Sequence, residues 1–236
     1  MLAGCAGGPR EADAAGDEAG WVSLFDGETL SGWTPKIRGF EPGENYRDTF
    51  RASDGVLRVS YADYDDFGER FGHLFHETSF RSYRLRFDYR FVDAPLADTP
   101  GWAHANSGVM IFSQAPETMA VEDAFPVSVE AQLLGPASEG PRTNGNMCSP
   151  GTNVVMEGEL VTQHCINSQT PAPPNGEWVS AEIEVTPSGE VIQRMNGQET
   201  IRYSDVQLDP EGRMANSKPL IASAGGVVYY EPQAVA

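Results

Sequence analysis

The sequence predicts an all-β protein built from two packed antiparallel sheets. Three observations carry that prediction. Apolar residues recur with period two and helical periodicity is hard to find. Gly and Pro, 25 and 17 of 236 residues, together exceed the roughly 12% of an average chain. Turn signals separate the short alternating runs, and no fixed repeat or second hydrophobic block divides them.

Taken in order, residues 55–61 form a first candidate strand. Residues 84–92 form the clearest one: Leu85, Phe87, Tyr89 and Phe91 share one face, and Arg84, Arg86, Asp88 and Arg90 share the other. Residues 107–113 follow. After Pro126 comes a strand in which Val127, Val129, Ala131 and Leu133 fall on one side, leaving Ser128, Glu130 and Gln132 to line a groove on the other. Glu157-Gly158 is a turn leading into residues 160–165, where alternation groups His164 with Leu160 and Thr162. Residues 178–185 bury Val179, Ala181, Ile183 and Val185. Residues 190–195 then enter Asn196-Gly197, a strong hairpin signal, and return through 199–203. Trp33 and Trp178 are expected in the core.

Composition excludes several functions. The chain has 34 Asp and Glu against 16 Lys and Arg, a net charge of −18. Such a surface repels nucleic-acid phosphates and anionic lipid, and no basic cluster offsets it. No apolar run approaches the ~18 residues of a membrane span. Residues 1–20 are rich in Gly, Ala, Asp and Glu and too polar to fold alone, so they read as a disordered tether before a single domain over 21–236. Removing the tether leaves 30 acids against 15 bases, so the acidity belongs to the folded part. Leu2-Ala3-Gly4-Cys5 resembles the lipobox of bacterial lipoproteins, which implies lipidation at Cys5, contact with a membrane only through that anchor, and a periplasmic, outer-membrane or secreted location. With Cys5 so used, Cys148 and Cys165 remain as a pair. In an oxidising compartment they read as a disulfide, the alternative being two buried thiols.

Several linked segments then carry a family likeness. Val22 to Trp33 runs Val-Ser-Leu-Phe-Asp-Gly-Glu-Thr-Leu-Ser-Gly-Trp. In order there follow Asn106-Ser107-Gly108-Val109-Met110, Val129-Glu130-Ala131-Gln132-Leu133-Leu134, Gly176-Glu177-Trp178 and the Asn196-Gly197 hairpin. Asn146-Met147-Cys148-Ser149-Pro150-Gly151-Thr152 and His164-Cys165-Ile166-Asn167-Ser168 resemble one branch of the same family. Over residues 21–203 the chain resembles the 3-keto-disaccharide hydrolase family, also called DUF1080. The resemblance implies a concanavalin-like jelly-roll sandwich of the lectin and glucanase kind, an envelope or secreted location, and cleavage of glycosides oxidised at C3. The usual closing segment with Phe-Arg-Asn is missing after Lys218, which predicts a sandwich lacking its C-terminal strand.

A 3-keto sugar requires one base at C2, a donor for the developing enolate and a proton for the leaving oxygen. The pairing of Glu130 with Gln132 disfavours a two-carboxylate glycosidase on that strand. Glu130 is the expected base and His164 the assisting acid or metal ligand. Asn106 and Gln132 are candidates for sugar hydroxyls or the enolate, Arg142 and Asn144 for the groove rim, and Trp102 and His104 for stacking on the sugar. Tyr61-Ala62-Asp63-Tyr64-Asp65-Asp66 offers oxygen ligands for a divalent cation, without EF-hand spacing; no cofactor is otherwise indicated. Phosphate-loop, nucleophile-elbow and zincin motifs are absent. The alternatives are a non-catalytic carbohydrate-binding module and a structural surface lipoprotein on the same fold.

Overall fold

A computed structural model describes residues 20–92, 96–137, 140–211 and 233–235, the last segment as backbone only. Cys5, the tether and most of the chain after Lys218 lie outside the described residues.

Among these residues the strands are β1 Trp33–Ile37, β2 Phe50–Ser53, β3 Val56–Val59, β4 Gly72–Ser79 and β5 Tyr83–Tyr89. They continue as β6 Asn106–Ile111, β7 Val129–Leu134, β8 Asn146–Cys148, β9 Thr152–Met156 and β10 Glu159–Val161. The remainder are β11 Cys165–Ile166, β12 Val179–Val185, β13 Val191–Met195, β14 Gln198–Leu208 and β15 Gln233–Val235. Helical structure is limited to single 3-10 turns such as Gly101–Ala103.

One sheet has the order β10-β9-β14-β13-β12-β5 and the facing one β11-β8-β7-β6. The sheet β1-β4-β15 and the hairpin β2-β3 complete the sandwich. Every strand pairing among the described residues is antiparallel, as in a jelly-roll sandwich. The core is what period-two alternation dictates. Val109, Ile111, Val129, Ala131 and Met147 of the four-stranded sheet meet Val154, Ile183, Val185, Val191, Ile201 and Tyr203 of the six-stranded sheet. Burying each such aliphatic side chain is worth about 1.5–3 kcal/mol. A second apolar cluster of Ile37, Phe50 and Leu74 packs with Trp33, Phe40 and Leu57, tying β4 to the β2-β3 hairpin.

Two expectations need correction. Trp178 is 39% exposed, because Val179 takes the inward position of β12 and Trp178 therefore turns outward, where the Arg90 guanidinium lies 4.8 Å above its ring. Trp33, by contrast, packs against the Ile37, Phe50 and Leu74 cluster as expected, with its indole N–H donating to the Leu24 carbonyl at 2.9 Å. Residues 160–165 are not one strand: β10 pairs with β9 in the six-stranded sheet, whereas β11 pairs with β8 in the four-stranded sheet. Residues 162–164 cross between the layers, so alternation does not govern His164. The short strand β15 pairs with β4.

Candidate active site

The face of the four-stranded sheet turned away from the core carries the side chains of alternate residues. Register places Met110, Glu130 and Cys148 in one row across β6, β7 and β8, and Gly108, Gln132 and Asn146 in the next. Cys165 extends the first row, directly opposite Cys148. These two form a disulfide with a Cα–Cα separation of 4.1 Å, resolving the alternative of two thiols.

Glu130 sits between apolar neighbours. Met110 belongs to a cluster with Phe75, Met119 and Phe125, and Cys148 is fully buried. The carboxyl has no hydrogen bond or ion pair to a described residue, and loss of hydration pushes its pKa up to about 8. Its side chain lies over Gly108: a Cβ there would stand 2.6 Å from Glu130 Cγ and 2.9 Å from Cδ. Glycine at 108 is thus a space requirement of the carboxyl across the strand pair, legible in the sequence as the Asn-Ser-Gly segment only after the register is known.

Beside this row runs a chain of amides. Asn146 Nδ2 donates to Gln132 Oε1 at 3.1 Å, Gln132 Nε2 lies 3.5 Å from Asn106 Oδ1, and Asn106 Nδ2 donates to the Trp102 carbonyl at 3.0 Å. Asn146 is a residue that sequence reasoning missed as a site member. Its Oδ1 accepts from Thr143 Oγ1 and from the Ser168 amide, which fixes which way the amide points. The Gln132 amide, in the row next to Glu130, and the Asn106 amide beyond it supply N–H donors along this face.

Arg142 donates to the carbonyls of His104 and Trp102, at 2.6 and 3.1 Å, and so holds the loop that carries the aromatic candidate. Trp102 is 56% exposed and stacks on Phe71 with centroids 5.4 Å apart and planes 17° from parallel. Phe71 in turn contacts Phe67 and Phe125, giving the groove an aromatic wall. His104 directs its Nε2 to the Thr99 carbonyl at 3.0 Å and props the same loop. Asn144, expected on the rim, is instead 1% exposed: its Oδ1 accepts from the Leu134 amide and its Nδ2 donates to Tyr89 OH, so it braces the sheet from inside.

His164 lines the groove beside the disulfide. Its carbonyl accepts from the Ser149 amide and hydroxyl, its Nδ1 is buried without a partner among the described residues, and burial lowers its pKa. It is therefore neutral at pH 7 and a poor acid. Two further buried bases clamp the loop that delivers Phe125. Lys36 Nζ donates to the Val121 carbonyl at 3.1 Å and His73 Nε2 meets the Ala124 carbonyl at 2.8 Å. Burial holds His73 down to about 4.

Cys148, His164 and Cys165 are the one group of three potential metal-ligating residues brought together among the described residues, and in the bridged form the two sulfurs carry no thiolate charge. In the acidic loop Asp63, Asp65 and Asp66 pair with Arg51, Arg47 and Arg70.

Comparison with known proteins follows the same lines. No curated protein matches the chain. Two solved structures of proposed glycosyl hydrolases from Parabacteroides distasonis ATCC 8503 are similar to it. The first is 17% identical, covers 90% of this chain and 84% of its own, and has a TM-score of 0.48. The second is 16% identical, covers 80% and 81% respectively, and has a TM-score of 0.44. The profile of the 3-keto-alpha-glucoside-1,2-lyase-like domain matches residues 20–228, and this chain belongs to that family.

Proposed function

We propose that the protein cleaves glycosides whose sugar carries a ketone at C3, with Glu130 as the base that removes the C2 proton. The observation that supports this reading is the Glu130 carboxyl itself: unpartnered, walled by Met110 and Cys148, and raised to about 8. A carboxylate with proton affinity matched to neutral pH is a far stronger base than one in water, and a ketone-acidified C–H needs such a base.

The proton passes from C2 to Glu130, and the C2–H electron pair forms the enolate with its charge on the C3 oxygen. Amide N–H groups of Gln132 and Asn106 are the donors for that oxygen. The enolate then collapses, forming the C1–C2 double bond and expelling the C1 oxygen. Glu130, now a carboxylic acid, returns the proton to the leaving oxygen. Addition of water across C1–C2 completes hydrolysis, hydroxyl to C1 and proton to C2. His164, held neutral, serves as a hydrogen-bonding group instead of the imidazolium acid that its position first suggested. The Trp102–Phe71 stack is suited to cover an apolar sugar face or aglycone.

The proposal includes an envelope location, resting on the Leu2-Ala3-Gly4-Cys5 segment. Labelled fatty acid incorporated at Cys5 by the precursor in bacteria supports that part; an unlabelled product removes it. For the reaction, purified protein is incubated with a 3-keto glucoside bearing a chromogenic aglycone and with its unoxidised parent. Release from the keto substrate alone is expected. Saturable binding without release would overturn the enzyme reading in favour of a carbohydrate-binding module.

A further inference from the structure

The corner where β8 meets β11 holds more ligating chemistry than the proposed reaction uses. Cys148 and Cys165 are direct cross-strand neighbours, and potential ligand atoms of Cys148, His164 and Cys165 all lie within 4.8 Å of one another. Among the described residues, His164 Nδ1 is buried without a hydrogen-bond partner. We propose that this corner is a redox-gated site for a thiophilic divalent cation such as Zn²⁺, closed while Cys148 and Cys165 are bridged and opened on reduction to a Cys₂His set, with solvent as the fourth ligand.

The geometry favours a site that persists after the bridge is cut. Cys148 is held by the pairing of β8 with β7, and Cys165 follows His164, whose carbonyl accepts from the Ser149 amide at 2.8 Å. These bonds do not depend on the S–S link, so reduction leaves the sulfurs facing each other. Around a tetrahedral zinc ion, with Zn–S about 2.3 Å and Zn–N about 2.0 Å, donor atoms stand roughly 3.5–3.8 Å apart. The sulfurs must therefore separate and the imidazole close in, both by side-chain rotation. The donor set, two soft sulfurs with an imidazole, suits zinc better than calcium or magnesium.

The electrons come from a dithiol reductant of the thioredoxin class. It delivers two electrons and two protons to the Cys148–Cys165 sulfurs and becomes a disulfide. The cation then binds as thiolate complex and the two thiol protons leave to solvent. Cation binding itself stands independently of the reaction assigned to Glu130.

The test uses full-length protein carrying Cys5→Ser, so that no third thiol contributes. It is reduced with a phosphine, freed of reductant anaerobically and titrated with Co²⁺. Reduced protein is expected to bind one equivalent, with a thiolate-to-cobalt band in the near ultraviolet and tetrahedral bands in the visible, all displaced by Zn²⁺. Bridged protein is expected to show neither. His164→Ala should weaken binding by at least about tenfold. Near-ultraviolet circular dichroism reports whether the reduced chain keeps its packing. Absence of the thiolate band, a titration unchanged by His164→Ala, or a reduced chain that loses its packing and does not regain it with Zn²⁺ would each overturn the proposal.

Discussion

Replacing Glu130 by Gln tests the electrostatics of the groove as well as its chemistry. The two side chains have nearly the same shape, so Gln fits over Gly108, but Gln cannot ionise. In the folded protein the Glu130 carboxyl ionises near 8 and in the unfolded chain near 4.5. Between those values the folded state holds a proton that the unfolded state has released, so stability falls as pH rises across this window and levels off above it. At about 1.4 kcal/mol per pH unit the full cost has a ceiling of about 5 kcal/mol, reduced by whatever water enters the groove. Wild type and variant should thus be matched near pH 4.5 and diverge in the variant's favour toward pH 9, by a few kcal/mol. Urea unfolding at intervals across pH 4.5–9 measures this. The keto-glycoside assay on the same samples should show wild-type kcat/KM rising with pH through about 8 and the variant inactive throughout. Parallel stability profiles would refute the claim that Glu130 is strongly desolvated, and an active variant would remove it as base.

Three further outcomes follow from neighbouring contacts. Gly108→Ala places a Cβ against Glu130 Cγ and Cδ, forcing the carboxyl out of its slot; turnover should drop at least about tenfold and its pH midpoint move toward that of an ordinary carboxylate, with a melting temperature close to wild type. Trp102→Ala removes an exposed ring, so KM should rise while kcat and unfolding midpoint change little; unchanged KM would exclude Trp102 from substrate contact. His73 takes its proton near 4 when folded and near 6.5 when unfolded, so stability should be lost as pH falls from 6.5 to 4. His73→Gln should flatten that acid limb in a thermal scan series, and an unchanged slope would show that another group causes it.

Strands with one wet and one buried face announce themselves. In β5 and β12 the alternation of exposed Arg84 and Arg86, or of Ser180, with half-buried and buried apolar residues is written directly in residue type. Strand β8 is buried at every position, and β4 buries Leu74 and Phe75 beside His73, so neither shows a period. The Glu130 face was legible for the same reason as the strands, because Glu130 and Gln132 alternate with Val129, Ala131 and Leu133. Two things were not legible. The interior position of Asn144 depends on Tyr89, 55 residues away in the chain. The crossing at residues 162–164 depends on which sheet each end joins, a tertiary choice that local pattern does not encode.

That crossing has a mechanical consequence. Ser149 to Gly151 carries the chain from β8 to β9, between the same two layers, and the Ser149–His164 bonds stitch the two crossings side by side next to the bridge. Sliding of one layer over the other is pinned at this end of the groove. Trp102 and Asn106 sit at the opposite end, about 13 Å further along the strands for the four residues from Met110 to Asn106. The crossings between the layers thus brace the His164 end of the groove, and the Arg142 bonds to the Trp102 and His104 carbonyls brace the aromatic end separately.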